Sequence, residues 1–199
     1  MANNKLEDYS QLHSALGYSF QSQALLVQAL THRSMRVAHN ERLEFLGDSI
    51  LGMVIATALY TQYPNEKEGV LSRARSYLVN GDMLAIIAKE LTLDKYVILG
   101  HGEMKTQGER RVSILSGCFE AIIGAIYLDG GFTSAERCVL SWYETRLEGG
   151  LVLPDLKDAK SQLQEWTQAQ QYTLPIYTMT VSGKAHEQVF SVTCRVEGL

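Results

Sequence analysis

Residues 40–60 read NERLEFLGDSILGMVIATALY, an apolar run long enough for a helix of almost six turns that nevertheless opens with three carboxylates. At about 100° per residue, Glu41, Glu44 and Asp48 fall within roughly a 60° arc of one helix face. The remaining positions are mostly apolar: Leu43, Phe45, Leu46, Ile50, Leu51, Met53, Val54 and Ile55. Like charges beside a core repel one another and lose hydration unless something positive compensates. A divalent cation is an economical solution, because Mg²⁺ and Mn²⁺ favour carboxylate oxygen. The plainer alternative is a solvated helix N-terminus whose acids complement the dipole. That alternative suits Glu41 better than Asp48, which lies two turns in.

A second helical stretch, GCFEAIIGAIYL over residues 117–128, carries one acid, Glu120. A lone carboxylate in so apolar a segment is expected to be shielded from water. Packed against Glu44 and Asp48, it completes a cluster suited to a metal that activates water toward phosphate.

The surrounding chain is helical in period up to about residue 147. Residues 21–32, 68–80 and 81–91 repeat apolar side chains every three or four positions, with Met83, Ile86 and Ile87 expected in the core. The stretch 113–131 ends in Gly130-Gly131, a pair suited to a left-handed cap. TSAE over 133–136 then has the form of a capping box that starts another helix, expected to stop at Gly149-Gly150. GGLVLPDLKD over 149–158 reads as a linker. A helix from Ala159 follows, then IYTMTV and QVFSVTCRV, whose period of two marks strands joined by the turn SGKAHE. The expected organisation is a helical domain over 1–150, a linker over 151–157, and an α-β-β piece over 158–199.

The chain has 199 residues, 46% hydrophobic and 20% charged, ordinary for a globular protein with one large core or two small ones. A polar, acidic N-terminus lacks the pattern of a signal peptide, and no uninterrupted apolar run reaches the roughly 20 residues of a membrane span. Three cysteines, Cys118, Cys138 and Cys194, are odd in number and in no metal-binding spacing, so free thiols and a cytoplasmic location are expected. The net charge of −4 argues weakly against a nucleic-acid partner.

Local motifs point the other way. ERLEFLGDS (41–49) is similar to the signature of the ribonuclease III family, the Mg²⁺-dependent endonucleases of double-stranded RNA. LTHRS (30–34), GVLSRARSYLVN (69–80), GHGEMKTQGERRVSIL (100–115) and FEAIIGAIYLDGG (119–131) resemble successive blocks of a bacterial enzyme of that family. DAKSQLQEW (158–166) resembles the first helix of its double-stranded-RNA-binding domain.

The resemblance implies an all-helical endonuclease domain followed by an incomplete α-β-β RNA-binding domain. It makes Glu44 and Glu120 metal ligands for Mg²⁺, with Mn²⁺ as substitute, and Asp48 and Glu120 the residues on which hydrolysis depends. It puts Glu41 at the site's edge in contact with RNA. Phe45 is implied to pack across the two-fold axis of a homodimer whose subunits each cut one strand, leaving short 3′ overhangs. Ribosomal RNA precursors and some messengers are the implied substrates. Ser161, Gln164, Glu165 and Gln168 are implied to meet one minor groove, and the turn around Gly183 and His186 the next, by shape and 2′-hydroxyl contacts. From the residues alone, that helix face reads as exposed and polar, and His32 as a packing residue rather than a ligand.

Two features depart from the family pattern. An Asp is expected three residues before Glu120, and Gly117 stands there, giving up a carboxylate with no evident local gain. Glycine in a helix costs up to about 1 kcal/mol relative to alanine. Three explanations stay open: an engineered or spontaneous variant with weakened metal binding, a natural replacement of the ligand by water or a shifted acid, or loss of cleavage with RNA binding or dimerisation retained. The family's RNA-binding domain also continues into a second, lysine-rich helix, and Leu199 precedes it. The second domain is therefore expected to be poorly stable and a weak RNA binder.

Overall fold

The computed structural model describes residues 9–35, 37–100, 109–148, 159–183 and 188–197. The chain divides into two compact units, Met1–Val152 and Leu153–Leu199. Among the described residues the first unit holds α1 (Ser10–Leu16), α2 (Gln23–Leu30), α3 (Glu41–Gln62), α4 (Glu68–Leu78), α5 (Gly81–Glu90) and α6 (Glu109–Glu148). The second holds α7 (Ala159–Ala169), β1 (Ile176–Ser182) and β2 (Val189–Arg195). The protein is mainly helical, as the sequence implies.

The centre of the first unit is the pairing of α3 with α6. Leu43, Ile50, Leu51, Val54, Ile55 and Leu59 recur at helical spacing and are buried on α3. Cys118, Phe119, Ala121, Ile122, Ile123, Ala125 and Ile126 are buried on α6. Leu51 and Ile55 expose no surface, so truncating either to alanine is expected to cost about 2–5 kcal/mol. By length and composition both helices are long and apolar enough to cross a membrane, although neither is an uninterrupted apolar run. Most of the apolar α6 stretch is buried in this core, whereas α3 buries one face and leaves Phe45, Met53 and Tyr60 exposed.

At the crossing, glycine is required. A Cβ on Gly47 would run into the backbone carbonyl of Glu120, and one on Gly124 into that of Leu43. The two helices therefore touch backbone to backbone, closer than helices separated by larger side chains.

The α6 segment is broken at Gly131, whose φ of 77° and ψ of 177° are not helical. The positive φ fits the expected glycine cap, but the extended ψ is not that of a left-handed helical residue. Helix resumes at once, and the Ser134 hydroxyl donates back to the Gly130 carbonyl at 2.8 Å. The capping-box segment thus lies inside the restarted helix. Just before the break, Asp129 accepts the Tyr18 hydroxyl and the backbone amides of Gln21 and Ser22, each at 2.8 Å. It ties the N-terminus of α2 to α6. Beyond the break, Trp142 Nε1 donates to the Leu16 carbonyl at 3.1 Å and the buried Tyr143 hydroxyl to that of Leu78 at 3.0 Å.

One core expectation is corrected. Ile87 is buried, but Ile86 is exposed, and Met83 is half-buried with its sulfur accepting from Arg146 Nε at 3.2 Å. On α5 the face towards α6 is carried by Leu84, Ala85, Ile87 and Ala88. Residue 86 falls away from that face.

In the second unit β1 and β2 pair antiparallel, with Met179 opposite Val192 and Val181 opposite Phe190. Lys160 of α7 holds its ammonium 5.1 Å over the Tyr177 ring. Alternation along β2 is present in the sequence, yet all of its described side chains are exposed, so it does not sort them into buried and exposed here. The linker and the Gly149-Gly150 stop lie outside the described residues.

Candidate active site

The start of α3 is fixed before its acids are placed. The Asn40 amide donates to the Thr31 carbonyl at 2.9 Å, and Thr31 bridges Ile98 in parallel fashion. Asn40 itself is buried. From that anchored turn Glu41, Glu44 and Asp48 project along one side of α3. The glycine crossing brings Glu120 of α6 opposite them. Glu41, Glu44, Phe45, Asp48 and Glu120 line one open cleft of about 430 Å³.

The four acids differ in surroundings. Glu41 is exposed and bonded by Arg33 Nη1 at 3.0 Å, with His39 Nδ1 3.8 Å from its other oxygen. Such exposed pairs contribute about 0–1 kcal/mol. Asp48 is exposed, whereas Glu44 and Glu120 are partly buried. Burial, the neighbouring Glu41 and then Asp48 push the Glu44 pKa up, against the opposing pull of Arg33. Burial, then Asp48 and Glu44, push Glu120 up to about 7. Negative charge is thus crowded into a half-shielded cleft with Arg33 on its rim.

The oxygen donors suit a hard divalent cation in kind. They are not drawn together around one point: among the described residues, no group of three His, Cys, Asp or Glu side chains is close enough to hold a metal ion as arranged. One reason lies at Gly117. A Cβ built there would sit 2.8 Å from Glu44 Oε2 and 3.1 Å from Oε1, so the Glu44 carboxylate occupies the space a side chain at 117 would need. The expectation that Gly117 brings no local structural gain is corrected accordingly: it makes room for that carboxylate. Ser116, the adjacent hydroxyl, donates to the Ser113 carbonyl at 3.0 Å.

A second, smaller cleft of about 180 Å³ adjoins, lined by His32, Arg33, Asn40, Glu41, Glu44, Ser113, Ile114 and Gly117. The His32 ring shares a 2.9 Å hydrogen bond with the Ser34 hydroxyl, as expected of a packing residue. Arg33, Gly47 and Gly124 were not singled out from sequence. Two glycines in the middle of apolar helices were the available signal, since their helix penalty calls for a close approach in return. Arg33 gave none.

Phe45 is 77% exposed and borders the acidic cleft. On α7, Glu165 and Gln168 are exposed and Gln164 is half-buried. The side chain of Ser161, and His186 with its turn, lie outside the described residues.

Comparison with known proteins agrees with this architecture. Residues 22–147 match the family model described as ribonuclease-III-like, and residues 159–199 that described as a double-stranded RNA binding motif. Ribonuclease 3 of Coxiella burnetii is 50% identical over 190 residues, 96% of this chain and 82% of the relative. Ribonuclease 3 of Shewanella loihica is 53% identical over 196 residues, 98% and 86% of the two chains. Among solved structures, the nuclease domain of ribonuclease III from Campylobacter jejuni, described with structural flexibility in a region involved in dimer formation, superposes with a TM-score of 0.67 at 40% identity. It covers 69% of this chain and 97% of that one.

A helical endoribonuclease domain followed by a double-stranded-RNA-binding motif is the class these features define. The chain belongs to the ribonuclease III family.

Proposed function

We propose that this protein is a divalent-metal-dependent endonuclease of double-stranded RNA that works as a homodimer, each subunit cutting one strand and leaving a short 3′ overhang. The observation that carries this reading is the cleft in which Glu44 and Asp48 of α3 face Glu120 of α6 across a glycine-lined crossing. Glu44 and Glu120 hold the metal, Mg²⁺ or Mn²⁺ in its place. Asp48 and Glu120 are the catalytic residues. When bound, the metal stabilises charge developing on the phosphate and activates a water. Burial and the neighbouring carboxylates raise the Glu120 pKa to about 7, so the free carboxyl holds its proton more readily than an ordinary one, and a bound cation would favour its ionised form.

Glu41 sits at the rim and contacts RNA beside Arg33. Ser161, Gln164, Glu165 and Gln168 of the second unit meet a minor groove, and His186 the next. The outward side of α3 supports the homodimer: Phe45 and Tyr60 are 77% and 74% exposed, with Met53 bare between them. Phe45 and Tyr60 are about 22 Å apart along the helix. A two-fold axis near Met53 therefore brings Phe45 of one copy to the largely apolar cleft of about 540 Å³ that Ala56, Leu59, Tyr60 and Leu71 line on the other. Processing of ribosomal and messenger RNA precursors is the role this activity suits, and three free cysteines support a reducing, cytoplasmic setting.

The second reading is a dimeric RNA-binding protein whose cleavage has lapsed, and Gly117 is the observation that favours it. Incubating a long RNA duplex with the protein in Mg²⁺ or Mn²⁺ separates the two. Cleavage to short duplexes with 3′ overhangs, abolished by Glu120→Gln, supports the nuclease. Intact duplex that is cut only after Gly117→Asp supports the lapsed form.

A further inference from the structure

We propose that Gly117 is a positioning residue for the metal site, acting by letting the Glu44 carboxylate leave it. The inference rests on the metal-site reading above and goes beyond the loss of a ligand at 117.

Glu44 lines two clefts, and their charges differ. The larger also holds Asp48 and Glu120, both of which repel it. Glu41 lines both clefts and repels it from either; the smaller adds Arg33, which attracts it, and the bare α-carbon of Gly117. The carboxylate lies against Gly117, with Oε2 2.8 Å, Cδ 2.9 Å and Oε1 3.1 Å from the point where a β-carbon would sit. Real side chains do not tolerate such separations, so any residue other than glycine displaces the carboxylate. The displaced group is the far end of a flexible side chain, and it moves by rotation about its own bonds with the helices undisturbed. The larger cleft, with Asp48 and Glu120, is the direction that is open to it.

Gly117 therefore subtracts twice from metal binding. It supplies no oxygen, and it gives Glu44 a refuge outside the site. A ligand that is in place only a fraction of the time weakens apparent affinity by that fraction. If Glu44 sits on the Gly117 side nine-tenths of the time, excluding it strengthens binding about 10-fold. The consequence is that alanine at 117, which adds no donor atom, improves the site.

The test is Mn²⁺ affinity, measured by titration with detection of free Mn²⁺, in the full chain and in Gly117→Ala, Glu44→Gln, the double variant, and Gly117→Asp. Binding about 10-fold tighter in Gly117→Ala, with the gain absent when Glu44 is already Gln, is the expected result. A merely structural effect of alanine would persist in the Glu44→Gln background. Gly117→Ser, which places the same β-carbon with a different helix propensity, should reproduce the gain. Unchanged or weaker binding in both small variants, with tighter binding in Gly117→Asp, overturns the proposal and leaves the metal site standing. Absence of Mn²⁺ binding in every variant, Gly117→Asp included, overturns both.

Discussion

Without metal, the first unit should lose stability as pH rises from about 5.5 to about 8, with Glu120 the principal cause. Its carboxyl is raised from an ordinary 4.5 to about 7 by burial and by Asp48 and Glu44. A group whose folded pKa lies above its unfolded value contributes stability that is fully present below the unfolded pKa. That contribution is lost as pH rises through the folded one, here between about 4.5 and about 7. Over the stated interval the loss is roughly 2 kcal/mol by linkage, and about 1 kcal/mol after allowance for solvent screening of a partly buried group. For a protein of this size that lowers the melting temperature by about 2–4 °C. Glu44, raised in the same direction, adds to the slope. Burial works against ionised Asp129, but the amide of Gln21, the hydroxyl of Tyr18 and the amide of Ser22 outweigh it and lower its pKa, so its contribution is fully present throughout this window. The assay is thermal unfolding in chelator at the two pH values, for the parent and for Glu120→Gln. The variant should be more stable than the parent at the higher pH and should show the smaller difference between the two. An equal slope in both proteins would refute the assignment of the strain to Glu120.

Other perturbations follow from the packing. Gly47→Ala forces its β-carbon into the Glu120 carbonyl, so α3 and α6 must part; a loss of about 1–3 kcal/mol in urea unfolding, accompanied by loss of cleavage, is expected. Asp129→Asn removes the charge that accepts from Tyr18, Gln21 and Ser22 and should cost about 1–3 kcal/mol in the same assay. Phe45→Arg should weaken self-association by at least about 30-fold in sedimentation equilibrium while leaving the monomer folded, because the side chain is exposed within one copy.

Much of the arrangement was legible because it is written in periods. The α3 residues with 3.6-residue spacing are the buried ones, and the acids that break the pattern are those that line the cleft. Element ends were less legible, since they depend on distant partners. The helix expected over 21–32 runs Gln23–Leu30, because Thr31 leaves it to bridge Ile98, and Asp129 holds the amides of Gln21 and Ser22 outside it. Ile86 was misread because apolar spacing on a short helix does not say which of two adjacent faces meets the neighbour. The lean of Glu44 onto Gly117 could not be read at all: it is set by two helices crossing and by the opposing charges of Arg33 and Asp48, none of which is local in sequence.

The place where a divalent cation binds decides the role of these acids most directly. Crystals of the protein grown or soaked in Mn²⁺ and measured for anomalous scattering should show a peak between the carboxylates of Glu44 and Glu120, in the cleft that Asp48 shares, and Glu120→Gln should remove or weaken it. A peak elsewhere, or none at this cleft under saturating Mn²⁺, would contradict the assignment of these acids to metal-dependent cleavage.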